Sequence, residues 1–217
     1  MKPIVGIGSS GHARVVLDAI RLMREFEVIG LLDQDRSHHD QEVDGIRVLG
    51  GDDLLPRLLS QGVQTAFLGV GGIGDNRPRA KIFERIRSIG LCFAKVVHPS
   101  AVVADSVELG EGVVLFAGAI VNSGARLGKN VIVNTGAVVD HDVVLGDHVH
   151  ISPGAVLSGG VRVGAYSHIG TGACVRQNIA IGSRALIAVG AAVVTDVRDD
   201  ETVAGVPARV MILPKRN

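Results

Sequence analysis

The chain has 217 residues, 22 basic and 22 acidic side chains, and 47% apolar residues. That length allows one large domain or two small ones. Zero net charge argues against a nucleic-acid binder led by phosphate contacts and leaves no basic face for an anionic membrane. Aromatics are only 3% while glycines number 29, so the core has to be filled by small aliphatics in thin layers. Cys92 and Cys174 are the only cysteines and form no CxxC pair, which excludes a disulfide framework and fits a reducing compartment. Met1 leads straight into a strand-like run, and no apolar segment approaches the ~20 residues that span a bilayer. A soluble, cytoplasmic protein is expected.

The first 95 residues alternate strand and helix patterns. Lys2–Gly8 reads as a strand, Gly11–Phe26 as a helix with Val15, Val16, Ala19, Ile20 and Met23 at helical spacing, and Val28–Leu32 as a second strand ending at Asp33. Residues 34–45 are polar and loop-like. Asp52–Gln61 reads as a helix, Val63–Val70 as a strand, Asn76–Ile89 as a helix, and Cys92–Val97 as a strand. Such alternation predicts a small parallel α/β sheet, a Rossmann-like domain over residues 1–97, with the His98-Pro99 step opening a second domain over 98–217.

Gly6-Ile7-Gly8-Ser9-Ser10-Gly11 matches GxGxxG between a strand and a helix, and Asp33 follows at the spacing of a ribose-binding acid. Free N–H groups at the helix start attract phosphate. A domain of about 95 residues is half a dinucleotide fold, so a mononucleotide or nucleotide sugar suits it better than NAD. A tight strand–helix turn that binds nothing is the alternative.

From Val97 onward, every sixth residue through Val193 is Leu, Ile or Val, with a small or β-branched residue two positions before each later one. A second register appears at eighteen, in Leu109-Gly110, Leu127-Gly128, Leu145-Gly146, Val163-Gly164 and Ile181-Gly182. Period six is commensurate with strand alternation and not with a helix. Three hexads make one coil of a triangular β-helix, so about five coils are expected. The recurring glycines mark corners that need either a positive φ or close backbone approach. After Val193 the hexad breaks at Asp199, and residues 200–217 read as a cap or tail.

Four histidines fall in the repeats. His141, in Asp140-His141-Asp142, lies between core positions and projects outward at a turn. His150 and His168 are eighteen apart and should stack on successive coils. His148 reads as a solvated turn histidine. No compact ligand set such as HExxH is present, so no metal is expected. A general base needs an accessible histidine oriented by a carboxylate, and His141 beside Asp142 fits best. Cys174 neighbours a core hexad position and is not read as a nucleophile.

These residues resemble bacterial nucleotide-sugar N-acetyltransferases of the left-handed hexapeptide type, which acetylate the 4-amino group of UDP- or GDP-linked 4-amino-4,6-dideoxy sugars. Gly8-Ser9-Ser10-Gly11-His12, Leu31-Leu32-Asp33, Val70-Gly71, His98-Pro99-Ser100-Ala101, the Asn134–Asp142 segment, His150-Ile151-Ser152-Pro153-Gly154-Ala155 and Gly205-Val206-Pro207-Ala208 carry the resemblance, which covers almost the whole chain. It implies a left-handed coil, acetyl-CoA as co-substrate, a C3 homotrimer, and His141 as the base with Asp142 as its orienting partner. Many relatives have Glu at that position, one methylene longer. By the same resemblance Ser10, Gly11, His12, Asp33, Gln34 and Gly71 hold the nucleotide, and His150, Thr171 and Val189 line the acetyl-CoA channel. The loop at Ile73–Asn76 is four residues longer than in the family. Two other readings stand beside this one: an O-acetyltransferase of a sialic-acid-type sugar and a non-catalytic nucleotide-binding scaffold.

Overall fold

The computed structural model of the chain describes residues 1–211. The tail segment 212–217, read from sequence as part of a cap, lies outside the described residues. The N-terminal part is a six-stranded sheet in the order β3-β4-β2-β1-β5-β6. Its strands are β1 (Lys2–Ile7), β2 (Phe26–Leu32), β3 (Glu42–Val43), β4 (Ile46–Gly50), β5 (Thr65–Leu68) and β6 (Cys92–Phe93), with helices α1 (Gly11–Met23), α2 (Leu55–Ser60) and α3 (Arg77–Ile89). All pairings are parallel except β3 with β4. That hairpin corrects the expected loop over 34–45. Asp44-Gly45 adopts positive φ at both residues, 48° and 74°, the geometry a two-residue hairpin needs between Val43 and Ile46.

From Val96 the chain winds as a left-handed parallel β-helix with three faces. Two-residue rungs at Val114–Leu115, Ile132–Val133 and His150–Ile151 stack in register on the first face. Ile120–Val121 and Val138–Val139 stack on the second, and Arg126–Leu127 and Val144–Leu145 on the third. Five coils are complete and a sixth is partial. From Leu115 onward the hexad residues point inward and are almost fully buried, as are Ala119, Ala125, Val131 and Ala137 two positions before them, while Val97, Val103 and Leu109 of the first coil are partly buried. Each buried Val, Leu or Ile contributes about 1.5–3 kcal/mol.

After the first coil the corners share one backbone solution. Every sixth residue from Gly112 to Gly190 has a positive φ, including Asn130, Asp142, His148, Tyr166, Asn178 and Arg184. The glycines at 110, 128, 146, 164 and 182 serve the other need: a Cβ on Gly110 would lie 2.6 Å from the carbonyl carbon of Gly128 on the next coil.

The three faces differ in what their outward residues meet. On the first, Val96, Val114 and Ile132 are buried against Val16, Leu17 and Ile20 of α1, so the α/β domain sits here. On the second, Val102, Ile120, Val138 and Val156 form an apolar column that is partly or largely exposed, Val102 at 61%. On the third, Glu108, Arg126 and Arg162 face solvent. Cys174 is exposed on the second face rather than packed inside.

Candidate active site

His141 stands at the corner where the second face turns into the third. The turn is fixed between coils: the Asp142 N–H donates to the Ser123 carbonyl at 3.0 Å, and the Gly160 N–H donates to the His141 carbonyl at 2.9 Å. Asp142 takes the left-handed corner conformation, φ 59°, which a short polar side chain tolerates. This brings its Oδ2 to 2.9 Å from His141 Nδ1. The shorter acid therefore reaches the imidazole directly. Asp140 is held in turn, its Oδ1 accepting from Asn122 Nδ2 at 2.8 Å and from the His141 N–H at 2.7 Å. The Asp142 hydrogen bond, reinforced by the Asp140 charge, holds the imidazole above its ordinary pKa. With Nδ1–H directed to Asp142, Nε2 is left as the proton acceptor.

The imidazole lies over Gly159 of the next coil, where a Cβ would run into Nε2 and sit 2.5 Å from Cε1. Above it on the same corner, a cavity of about 680 Å³ is lined by Ser158, Arg176, Gln177, Asn178 and Thr195.

The glycine loop lies at the carboxyl ends of β1, β2 and β5, where the sheet's winding reverses direction, the usual ligand crevice of such folds. Asp33 binds this loop together. Its Oδ2 accepts from the Ser9 N–H at 2.9 Å and from the Ser9 hydroxyl, and its Oδ1 from the Asp35 N–H at 2.9 Å. His38 Nδ1 stands 3.3 Å from Oδ2. Burial would raise the Asp33 carboxyl, but the Ser9, Asp35 and His38 hydrogen bonds override it and hold the group below its ordinary range. Ser10 Oγ donates to the Gly69 carbonyl at 2.8 Å. Gly11 faces open space at the start of α1, and Ser10 caps that helix without a side-chain bond. Asp33 and Gln34 line a cavity of about 150 Å³ with Gly8, Asp52, Val70 and Arg85.

The remaining expected residues fall elsewhere. His12 is turned inward, edge-on to Phe116 at 5.4 Å and close to Gly71. Burial, then the charges of Arg79 and His150, push its pKa down to about 3. His150 is buried on the first face and donates from Nδ1 to the Gly72 carbonyl at 2.9 Å, while Asn134 Nδ2 reaches its Nε2 at 3.3 Å. It pairs with His168 on the next coil, ring centroids 4.7 Å apart. Burial first, then His168 and Arg79, lower the His150 pKa to about 3, and burial lowers His168 to about 4. Thr171 and Val189 are exposed on the corner between the first and second faces, one coil apart and tied by the Gly190 N–H to the Thr171 carbonyl. The structure thus brings Ser10, Gly11, His12, Gly71 and His150 to one side of the prism, while His141 and Asp142 occupy another corner of the same chain.

His148 is a correction. It is only 5% exposed, stacked on Tyr166 at 4.9 Å, edge-on to Phe83 of α3 and bonded to Asn130 at 3.0 Å. Its corner packs against the α/β domain, which the repeat alone does not disclose. The long loop is pinned by Asn76, whose Nδ2 donates to the Ser167 carbonyl at 2.9 Å, leaving Ile73 at its tip 98% exposed. Gly159, Asp140 and Asn122 carried no signal for a role beside His141, because each also fits an ordinary turn position. Among the described residues no group of three or more His, Cys, Asp or Glu is arranged to hold a metal ion. No helix among them is long and apolar enough to cross a membrane.

Two family models match: the PglD N-terminal domain over residues 3–86 and the bacterial transferase hexapeptide (six repeats) over 124–159. No curated protein sequence matches the chain. Among solved structures, perosamine N-acetyltransferase from Caulobacter crescentus is 40% identical, with 97% of each chain covered and a TM-score of 0.90. That structure is an H141N mutant in complex with CoA and GDP-perosamine. The acetyltransferase domain of PglB from Neisseria gonorrhoeae, in complex with acetyl coenzyme A, is 38% identical over 97% of this chain and 99% of its own, with a TM-score of 0.88. WeeI from Acinetobacter baumannii is 26% identical over 97% of this chain and 100% of its own, with a TM-score of 0.83. With both domains matched and 40% identity along nearly its whole length, the chain belongs to the bacterial nucleotide-sugar N-acetyltransferases of the left-handed hexapeptide type.

Proposed function

We propose that this protein transfers the acetyl group of acetyl-CoA to the 4-amino group of a nucleotide-linked 4-amino-4,6-dideoxy sugar. The observation that carries the reading is the His141–Asp142 pair, Nδ1 held at 2.9 Å and Nε2 left as acceptor. It stands in a chain 40% identical to an enzyme crystallised with CoA and GDP-perosamine. The sugar amine attacks the thioester carbon, forming the C–N bond, and gives a proton to Nε2 of His141. A backbone N–H stabilises the oxyanion. The C–S bond then breaks, and the imidazolium returns the proton to the departing CoA sulfur. Asp142 keeps the imidazole in the required tautomer and balances its charge.

The open start of α1 at Ser10, Gly11 and His12, with Gly71 beside it, supports a diphosphate there through free N–H groups and the helix dipole. Asp33 shapes that loop, and with Gln34 it borders the adjoining cavity, which suits the nucleoside end. Thr171 and Val189 offer an exposed corner to the pantetheine arm, and His150 closes its inner side from beneath the Gly72 loop. Both co-substrates are cytosolic metabolites, so we place the enzyme in the cytoplasm. We further infer a C3 homotrimer. The apolar second face supports burial against another copy, and the base stands at the corner between the second and third faces while the α/β domain packs on the first. A neighbour's His141 would complete the site.

The test is release of free thiol from acetyl-CoA with GDP- and UDP-linked amino sugars and with hydroxyl sugars as acceptors. Release with an amino sugar alone is expected. Release with a sialic-acid-type hydroxyl acceptor alone would make the protein an O-acetyltransferase, and no release with any acceptor would leave a nucleotide-binding scaffold.

A further inference from the structure

Arg79, in the first turn of α3, is the only lysine or arginine in the buried set among the described residues, at 3% exposure. Nη1 donates to the Val70 carbonyl, while Nε and Nη2 meet no protein acceptor. Burial alone dominates its titration, with no carboxylate opposing it, and lowers its pKa to about 9. The side chain therefore stays cationic at neutral pH. An isolated buried charge is costly, and apolar replacements of buried ionic groups are often neutral or stabilising, so a cation kept here calls for a use.

Its surroundings indicate one. Val70, held by Nη1, walls the cavity next to the glycine loop. Gly71 packs on the ring of His12, which belongs to the same loop, and Gly72 accepts from His150. After burial, the Arg79 charge is one of the causes that lower the pKa of both rings. The guanidinium is buried, and in such an interior a charge is weakly screened.

We propose that Arg79 is a specificity-determining residue for the diphosphate of the nucleotide sugar, a fixed positive charge behind the glycine loop that favours the charged ligand without touching it. The inference rests on the nucleotide-sugar reading of that loop. Its electrostatic role separates from a purely mechanical one, because a strut under Val70 would shape the pocket equally for charged and uncharged ligands.

The test compares wild-type protein with Arg79→Met and Arg79→Lys. Affinities for GDP and UDP are measured by calorimetry, affinities for guanosine and uridine by competition, and melting temperatures are recorded alongside. Arg79→Met is expected to weaken diphosphate binding at least tenfold and nucleoside binding less than twofold, with a melting temperature at or above wild type. Arg79→Lys, which keeps the charge, should retain the diphosphate preference. An equal loss for nucleoside and diphosphate, or no loss for either, overturns the proposal. A wild-type protein that binds neither diphosphate overturns the nucleotide-sugar reading as well.

Discussion

Gly159→Ala adds one methyl group under the imidazole of His141 and removes no chemical group. The added Cβ would run into Nε2 and lie 2.5 Å from Cε1. Gly159 is not among the positive-φ positions, so alanine meets no backbone penalty. Ordinary contact begins near 3.5 Å, so the ring has to move by about 1 Å. It is free to do so, because the His141 side chain is mostly exposed, and the melting temperature should barely change. A displacement of about 1 Å at a catalytic group costs on the order of 10²-fold in rate. Thiol release at saturating acetyl-CoA and sugar nucleotide should show kcat reduced by roughly that factor, with both KM values nearly unchanged. Wild-type kcat in Gly159→Ala would mean that the imidazole does not act from its position over Gly159.

Asp142→Asn removes the main influence that raises the His141 pKa. A base works when deprotonated, so the rising limb of kcat against pH should move to lower pH as kcat at its plateau falls. A limb that stays in place would assign it to another group. Ile151→Ala empties a fully buried position in the prism core and should cost about 2–5 kcal/mol in denaturant unfolding; a loss below about 1 kcal/mol would contradict the close-packed layers described above. His12, His148, His150 and His168 all have pKa values lowered chiefly by burial. The unfolded chain therefore binds more protons below pH 6.5, and stability present above that pH should fall toward pH 3–4. A melting temperature flat from pH 7 to 4 would show that these rings are not buried neutral.

The prism was legible because its information is local and repeated. Each hexad supplies one inward aliphatic and each corner from Gly112 to Gly190 one left-handed residue, so Val97 to Val193 specify the coil without long-range knowledge. The glycine loop was legible for a similar reason, a strand, a tight turn and a helix in adjacent residues. What the α/β domain covers was not legible. His148 occupies the same left-handed corner position as Asn130 and Tyr166 on the neighbouring coils, and nothing in that spacing separates a covered corner from an open one. Only the packing of Phe83 against it turns a solvent-facing histidine into a buried one. His150 and His168 stack as their spacing predicts, but the Gly72 carbonyl that orients His150 arrives from 78 residues away. Asp33 reads from sequence as a ligand contact; its oxygens are largely engaged by Ser9 and Asp35, a pairing no spacing rule encodes. The hairpin at Asp44-Gly45 carries a readable turn signal that the polar composition around it obscures.

The account turns on His141 as the proton acceptor, and turnover of His141→Asn across pH 6–9 tests it most directly. Asparagine keeps a polar side chain at the corner but cannot take the proton. Acetyl transfer to the nucleotide-linked amino sugar should fall by about 10²–10⁴-fold at every pH in that range, with the affinities for CoA and for the sugar nucleotide unchanged. Wild-type turnover in that variant, at any pH between 6 and 9, would contradict the mechanism.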